Sequence, residues 1–317
     1  MWSYTARRLL YNIPVYLGIV LLLMLALRVN DPANAFLGKN ANPEDLLLIK
    51  ERLGLDRPFL VQYFDLLKSV FSLDFGTYSW ANEGITVGRM LRESVVPSLS
   101  ITLPALILTS TVSITIALIS AFFRGRRIDR ALMVLAVVGM SVSFLVYIVF
   151  GQYFGAYLLT RETGYSFFAI GGYESGLANW PYYCLLPVLI SSLVAMGYDT
   201  RFYRAVMVEE SGRDYIVTAT AKGASKRKVM FVHMLKNAMI PIITRIMTTL
   251  PFLIMGSLLL EVYFNIPGMG RVLYKAIQEQ DFPVIQIFVA IFAGLFILSN
   301  ILTDVLYALV DPRVRLS

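Results

Sequence analysis

Few residues in this sequence could carry covalent chemistry. His233 and Cys184 are each the one residue of their type among 317, so neither a zinc site nor a disulfide can be assembled from them. The one Gly-Lys pair, Gly38-Lys39, is followed by Asn40 and lacks the Ser or Thr that completes a phosphate loop. What remains is recognition chemistry. Asp214 can cap a short helix and Gly223 can end it in the left-handed conformation. Between them Tyr215, Thr218, Ala219 and Lys222 recur at the spacing that shares one helical face. That face is mostly small, so another backbone can approach it closely. Ser225 can cap a second helix running through Met230, Met234 and Lys236 toward Pro241, with Lys226, Arg227 and Lys228 projecting toward water or anionic lipid heads. The same stretch reads equally as an ordinary basic loop of a membrane protein.

The elements that position this stretch follow from composition. The chain is 57% hydrophobic and only 15% charged, with a mean hydropathy of +0.66, against roughly 25% charged in a soluble domain. A soluble enzyme, a disordered chain and a disulfide scaffold are thereby excluded. A spanning helix needs about 20 mostly apolar residues, and uncharged runs of that length occur at 9–27, 94–123, 131–160, 175–198 and 282–303. A further apolar segment, 237–260, is interrupted by Arg245. Six spans and an all-α fold are expected, because the runs are apolar on every face and lack barrel-type alternation. The first run also resembles a secretory signal core, but it is longer than one and no small-x-small cleavage site follows.

Basic residues concentrate in alternate loops, which predicts that both termini are cytoplasmic. The chain then divides into an N-terminus and first span (1–28), an outer loop with short helices (29–98), spans two to four (99–198), a cytoplasmic loop (199–236), and spans five and six with a tail (237–317). In the outer loop Asn42 can cap a helix beginning at Pro43, and Gly54 can end it. Such helices would lie on the outer face. Two charges fall inside or at the edge of spans. Arg245 and Asp304 could pair across the bundle or snorkel to the interface. Pro104 and Pro251 could kink or break their spans. Ser141, Ser143, Tyr147, Thr248, Thr249 and Ser257 are the polar options along spans three and five, although Ser and Thr hydroxyls commonly bond back to their own helix.

At the inner loop the sequence resembles the permease subunits of bacterial ATP-binding-cassette importers of the dipeptide, oligopeptide and nickel group. The resemblance is carried by Asp214-Tyr215, Thr218-Ala219, Ala221-Lys222-Gly223-Ala224-Ser225, Lys236-Asn237-Ala238 and Ile240-Pro241. It continues in Leu53-Gly54-Leu55-Asp56-Arg57-Pro58, Asp74-Phe75-Gly76-Thr77, Glu261 with Pro267-Gly268-Met269-Gly270-Arg271, Asp281-Phe282-Pro283-Val284, and Asp311-Pro312-Arg313. It departs where Val217-Thr218-Ala219 stands in place of the superfamily's Glu-Ala-Ala.

The resemblance implies a type I importer permease in the bacterial inner membrane, the first, long-outer-loop member of a pair. It implies that Tyr215, Thr218, Ala219, Lys222, Gly223, Ala224 and Ser225 form a coupling helix and turn that dock on an ATPase subunit. The implied partners are a second homologous permease, two ATP-binding subunits, a periplasmic or lipid-anchored solute-binding protein and membrane lipid, with no nucleic acid. ATP and Mg would be bound by the partner subunits, leaving this chain non-catalytic and without a cofactor. Peptides or a related small solute would be carried. The alternative reading is a secondary transporter or channel acting alone, and a third is a non-transporting membrane scaffold.

Overall fold

The computed structural model describes residues 2–29, 33, 43–249 and 256–310, the side chains at 2–6, 43–46, 52 and 304–310 excepted. Among them regular structure is helical, with one isolated bridge between Tyr78 and Thr86. The helices are α1 (Trp2–Leu27), α2 (Pro43–Arg52), α3 (Phe59–Ser72), α4 (Val87–Phe122), α5 (Arg127–Ser141), α6 (Phe144–Thr163), α7 (Trp180–Glu210), α8 (Asp214–Ala221), α9 (Lys226–Met247), α10 (Leu258–Tyr263), α11 (Met269–Gln278) and α12 (Phe282–Val310). Five of these are long and apolar enough to cross a membrane, and six spans result when the bent pair α5 and α6 counts as one.

That bend falls within the expected third span. Its uncharged run of 30 residues is no longer than that of the second span, which forms the single helix α4. The chain turns by 90° between α5 and α6, where Val142 and Ser143 are extended. The Tyr147 hydroxyl donates to the Gly139 carbonyl at 2.9 Å, satisfying an acceptor that the helix end frees. Beyond the bend, residues Gly151–Leu158 are wound as a π-helix. Pro104, by contrast, lies inside an unbroken α4. Pro251 and Asn42 lie outside the described residues.

α4 and α7 form the centre of the bundle, flanked by α5 and α9, while α1 pairs with α12. Glycines set the closest approaches. A Cβ on Gly151 would lie 2.4 Å from Ile190, one on Gly155 3.1 Å from Leu186, and one on Gly197 2.8 Å from the Ala136 carbonyl. The first two, four residues apart on α6, let it lie against α7 as small-xxx-small pairs do in membranes.

The outer loop differs from a flat cover. α2 ends at Gly54, whose φ is +66°. α3 then packs antiparallel along α1: Arg28 lies over the Phe59 ring, the Tyr63 hydroxyl donates to the Leu17 carbonyl at 3.0 Å, and Phe71 meets Tyr16 edge to face. Asp281, at the start of α12, ties the loop down by accepting from the Ser79 hydroxyl and the Trp80 amide.

Candidate functional site

The inner loop is more helical than its charge suggests, because α7 continues to Glu210. α8 follows after three residues. Asp214 is not its cap: Arg213 holds that position in extended backbone and no side chain closes the turn. Asp214 instead occupies the first turn, where a carboxylate complements the helix dipole. The other end matches expectation. Gly223 has φ +80°, its amide donates to the Thr220 carbonyl at 3.0 Å, and the Ala224 amide donates to Ala219 at 3.1 Å. This is the double closure of a Schellman turn. Ser225 then caps α9, its Oγ accepting from the Lys228 amide.

The connection from α8 to a membrane span is therefore four residues of fixed geometry. α9 runs from Lys226 through a π-helical stretch, Val229–Met234, to Met247. Lys226 does not project freely, as the sequence suggested. Its Nζ donates to the Phe122 carbonyl at 2.8 Å and sits 4.3 Å over the Phe122 ring, fixing α9 to the end of α4.

The expected face of α8 is divided between inside and outside. Ile216 packs on the buried cluster of Tyr203, Met207, Met230 and Met234, and Tyr215 and Ala219 are half-buried beside it. The Tyr215 hydroxyl donates to Glu210 at 2.6 Å. Burial first, and the Glu210 carboxylate second, hold the phenol above its ordinary pKa, so it remains a donor at neutral pH. Exposed are Val217, Thr218, Thr220, Ala221 and Lys222. The hydroxyls of Thr218 and Thr220 bond back to the carbonyls of Asp214 and Ile216. What α8 displays is thus a small surface with no unmet hydroxyl, bordered by Lys222 and, past the turn, by exposed Arg227 and Lys228.

Two buried carboxylates brace the two ends of the bundle. Asp129, the lone acid in the basic connection after α4, takes a two-point contact from Arg204 of α7 at 2.7 and 2.8 Å, with further bonds from the Ser120 hydroxyl and the Gly125 amide. One carboxylate so joins α4, α5 and α7. At the opposite end of the bundle Glu261, just past the fifth span, is fully buried. It accepts from the Ser98 hydroxyl at 2.7 Å and the Arg271 amide at 3.0 Å, while Ser98 accepts from the Met269 amide. Burial pushes its carboxyl above the ordinary range despite those donors.

Arg245 pairs with a residue of α7. Its Nε donates to Asp199 of α7 at 3.2 Å; the Asp304 side chain lies outside the described residues. Ser141, Thr248 and Thr249 bond to carbonyls of their own segments, and Tyr147 bonds across the bend from α6 to α5, which is the structural role. Among the described residues no group of three or more His, Cys, Asp or Glu could hold a metal ion.

The sequence matches the family described as "Binding-protein-dependent transport system inner membrane component" over residues 113–316. Residues 1–100 match the family's separate N-terminal part. It is 35% identical to a probable peptide ABC transporter permease protein of Sinorhizobium fredii, over 99% of this chain and 100% of that one. It is 34% identical to the glutathione transport system permease protein of Salmonella choleraesuis, over 99% of each chain. A putative peptide transport system permease protein of Brucella abortus is 33% identical, again over 99% of each. This multi-pass chain belongs to the family of binding-protein-dependent transport system inner membrane components, as a permease of the peptide and oligopeptide group of ATP-binding-cassette importers.

Proposed function

We propose that this chain is the first permease of a pair that imports peptides or a related small solute, and that α8 is the coupling helix through which ATPase closure drives alternating access. The observation that carries this reading is the rigid path from α8 to the fifth span. The Schellman turn at Gly223, the Ser225 cap and the Lys226 contact to Phe122 leave no slack between a displayed helix and α9. A push on α8 would then move a membrane span rather than bend a loop. Two ATP-binding subunits would receive α8 and its counterpart on the second permease, holding the ATP and Mg. A periplasmic or lipid-anchored binding protein would deliver solute to the opposite side, with both termini of this chain cytoplasmic.

The test is Gly223→Val in the reconstituted four-subunit complex with its binding protein. A β-branched side chain at φ +80° distorts the turn, so the chain should insert and assemble while uptake per ATP hydrolysed falls. Uptake at the unaltered ratio would remove the coupling assignment.

One observation favours the stand-alone transporter, since broken helices are how such proteins build midplane sites. The break between α5 and α6 is, however, closed by the Tyr147 bond to Gly139 and carries no ionisable group other than that phenol. Ion-gradient-driven uptake by the purified chain alone would reinstate that reading.

A further inference from the structure

Asp199 and Arg245 form an ion pair between two spanning helices, α7 and α9. Charges in such positions face a bundle interior or a water-filled cavity, because hydrocarbon cannot solvate them. The pair is not a closed structural contact. Asp199 is largely covered, at 12% exposure, but Arg245 is 45% exposed. The single bond uses Nε alone, and neither Nη bonds to a described residue. The Asp199 contact also turns the guanidinium toward α7, not along its own helix to the lipid heads.

Beside the pair lie buried hydroxyls. Tyr203, one turn beyond Asp199, is fully buried and within electrostatic reach of both Asp199 and Arg245. Its hydroxyl lies against that of Ser110 on α4, and the buried hydroxyl of Ser113, one turn along α4, has no hydrogen-bond partner among the described residues. Unpartnered buried hydroxyls are costly, and internal water is what ordinarily removes the cost. Buried hydroxyls, a half-committed guanidinium and a buried counter-ion thus meet where α4, α7 and α9 pack.

We propose that Arg245 contacts the solute on the inner part of the transport path, taking a solute carboxylate on its free donor fork while Asp199 holds the cation when no solute is present. The proposal rests on the permease reading above. Its chemistry is the two-point match of guanidinium to carboxylate, and a peptide ends in a carboxylate. Asp199 makes the arrangement reversible, since a cation with a resident partner need not grip the passing anion permanently.

The experiment compares a tripeptide with its C-terminal amide in the full complex, in proteoliposomes with binding protein. The melting temperature of the complex in millimolar peptide, acid against amide, reads the same preference without the binding protein. Arg245→Gln should lower the acid-to-amide uptake ratio by about tenfold, the scale of one lost charge-assisted contact, and should erase the acid's larger thermal shift. Asp199→Asn, which leaves the guanidinium without its resident partner, should raise the ratio. Should Arg245→Gln fail to assemble, Arg245→Lys keeps the charge, loses the fork and should still lower the ratio. An unchanged ratio and an unchanged thermal difference in the assembled variant would overturn the assignment. Absence of ATP-driven uptake of either peptide by the wild-type complex would instead count against the permease reading.

Discussion

The Glu261 carboxylate fills the space that a side chain on Gly268 would need. A Cβ there would lie 2.3 Å from the Glu261 carboxyl carbon and 2.4 Å from Oε2. The carboxylate cannot swing away without giving up its bonds to Ser98 and the Arg271 amide. The contact locks α10, α11 and the outer part of α4 together. Gly268→Ala should therefore destabilise the protein by about 1–3 kcal/mol, the usual range for overpacking a tight site. A melting temperature in detergent equal to wild type would show that the outer end of the bundle yields more easily than its packing implies.

Glu261 also predicts a pH dependence. Burial raises its folded-state pKa above the ordinary value of 4.5, so the folded protein binds this proton more tightly than the unfolded chain does. Its contribution to stability is then fully present below about pH 4.5 and is lost as the pH rises through the raised folded value. Glu261→Gln cannot titrate. Wild type should lose more stability than this variant between pH 4.5 and pH 8, measured as the change in melting temperature of each. Parallel pH profiles would refute the assignment.

Asp129 makes a complementary case at the inner end. Its two-point contact with Arg204 is largely shielded, with side-chain exposures of 5% and 25%. Asp129→Asn keeps the shape but removes the charge that three groups address, and should cost about 1.5–3 kcal/mol, as for hydrogen bonds to a charged partner. Because the contact braces the end of α4 where Lys226 also binds, uptake per ATP should fall with stability. In the cycle with Arg204→Gln the two losses should be strongly non-additive; simple additivity would mean the residues act apart.

Much of this architecture was legible in the sequence. Spans one, two, four and six follow from uncharged runs, and the Gly223 turn from the one residue type that accepts φ +80° without strain. What was not legible involved partners distant in sequence. Asp129 looks like any loop acid until Arg204 is brought to it from 75 residues away. For Arg245 the sequence offers Asp304 or the interface, because Asp199, 46 residues earlier, falls in the expected loop. The face of α8 is only partly displayed for a related reason: helical spacing groups Tyr215 with Thr218, but Glu210 and the Met230 cluster draw Tyr215 and Ile216 inward. The bend in the third span has no such sign: the equally long second run forms the unbroken α4, and no Pro or Gly stands at 142–143 to mark a turn.

The glycine pair on α6 gives a prediction that separates packing from backbone freedom. Gly151 and Gly155 lie on a helix with ordinary negative φ, so their absent side chains matter through space alone. A Cβ at Gly151 meets the tip of Ile190 at 2.4 Å, and that tip belongs to a flexible side chain that can be shortened. Gly151→Val should loosen α6 from α7 and lower stability by about 1–3 kcal/mol. Adding Ile190→Ala frees the space and should recover at least half of the loss, although Ile190→Ala alone opens a cavity that costs about 2–5 kcal/mol. The double variant should consequently be more stable than the sum of the two single changes predicts, as read from melting temperatures in detergent. If the two losses merely add, α6 and α7 are not held by this contact, and the π-helical segment must owe its position to the Gln152 bonds to the Ile170 and Tyr263 carbonyls instead.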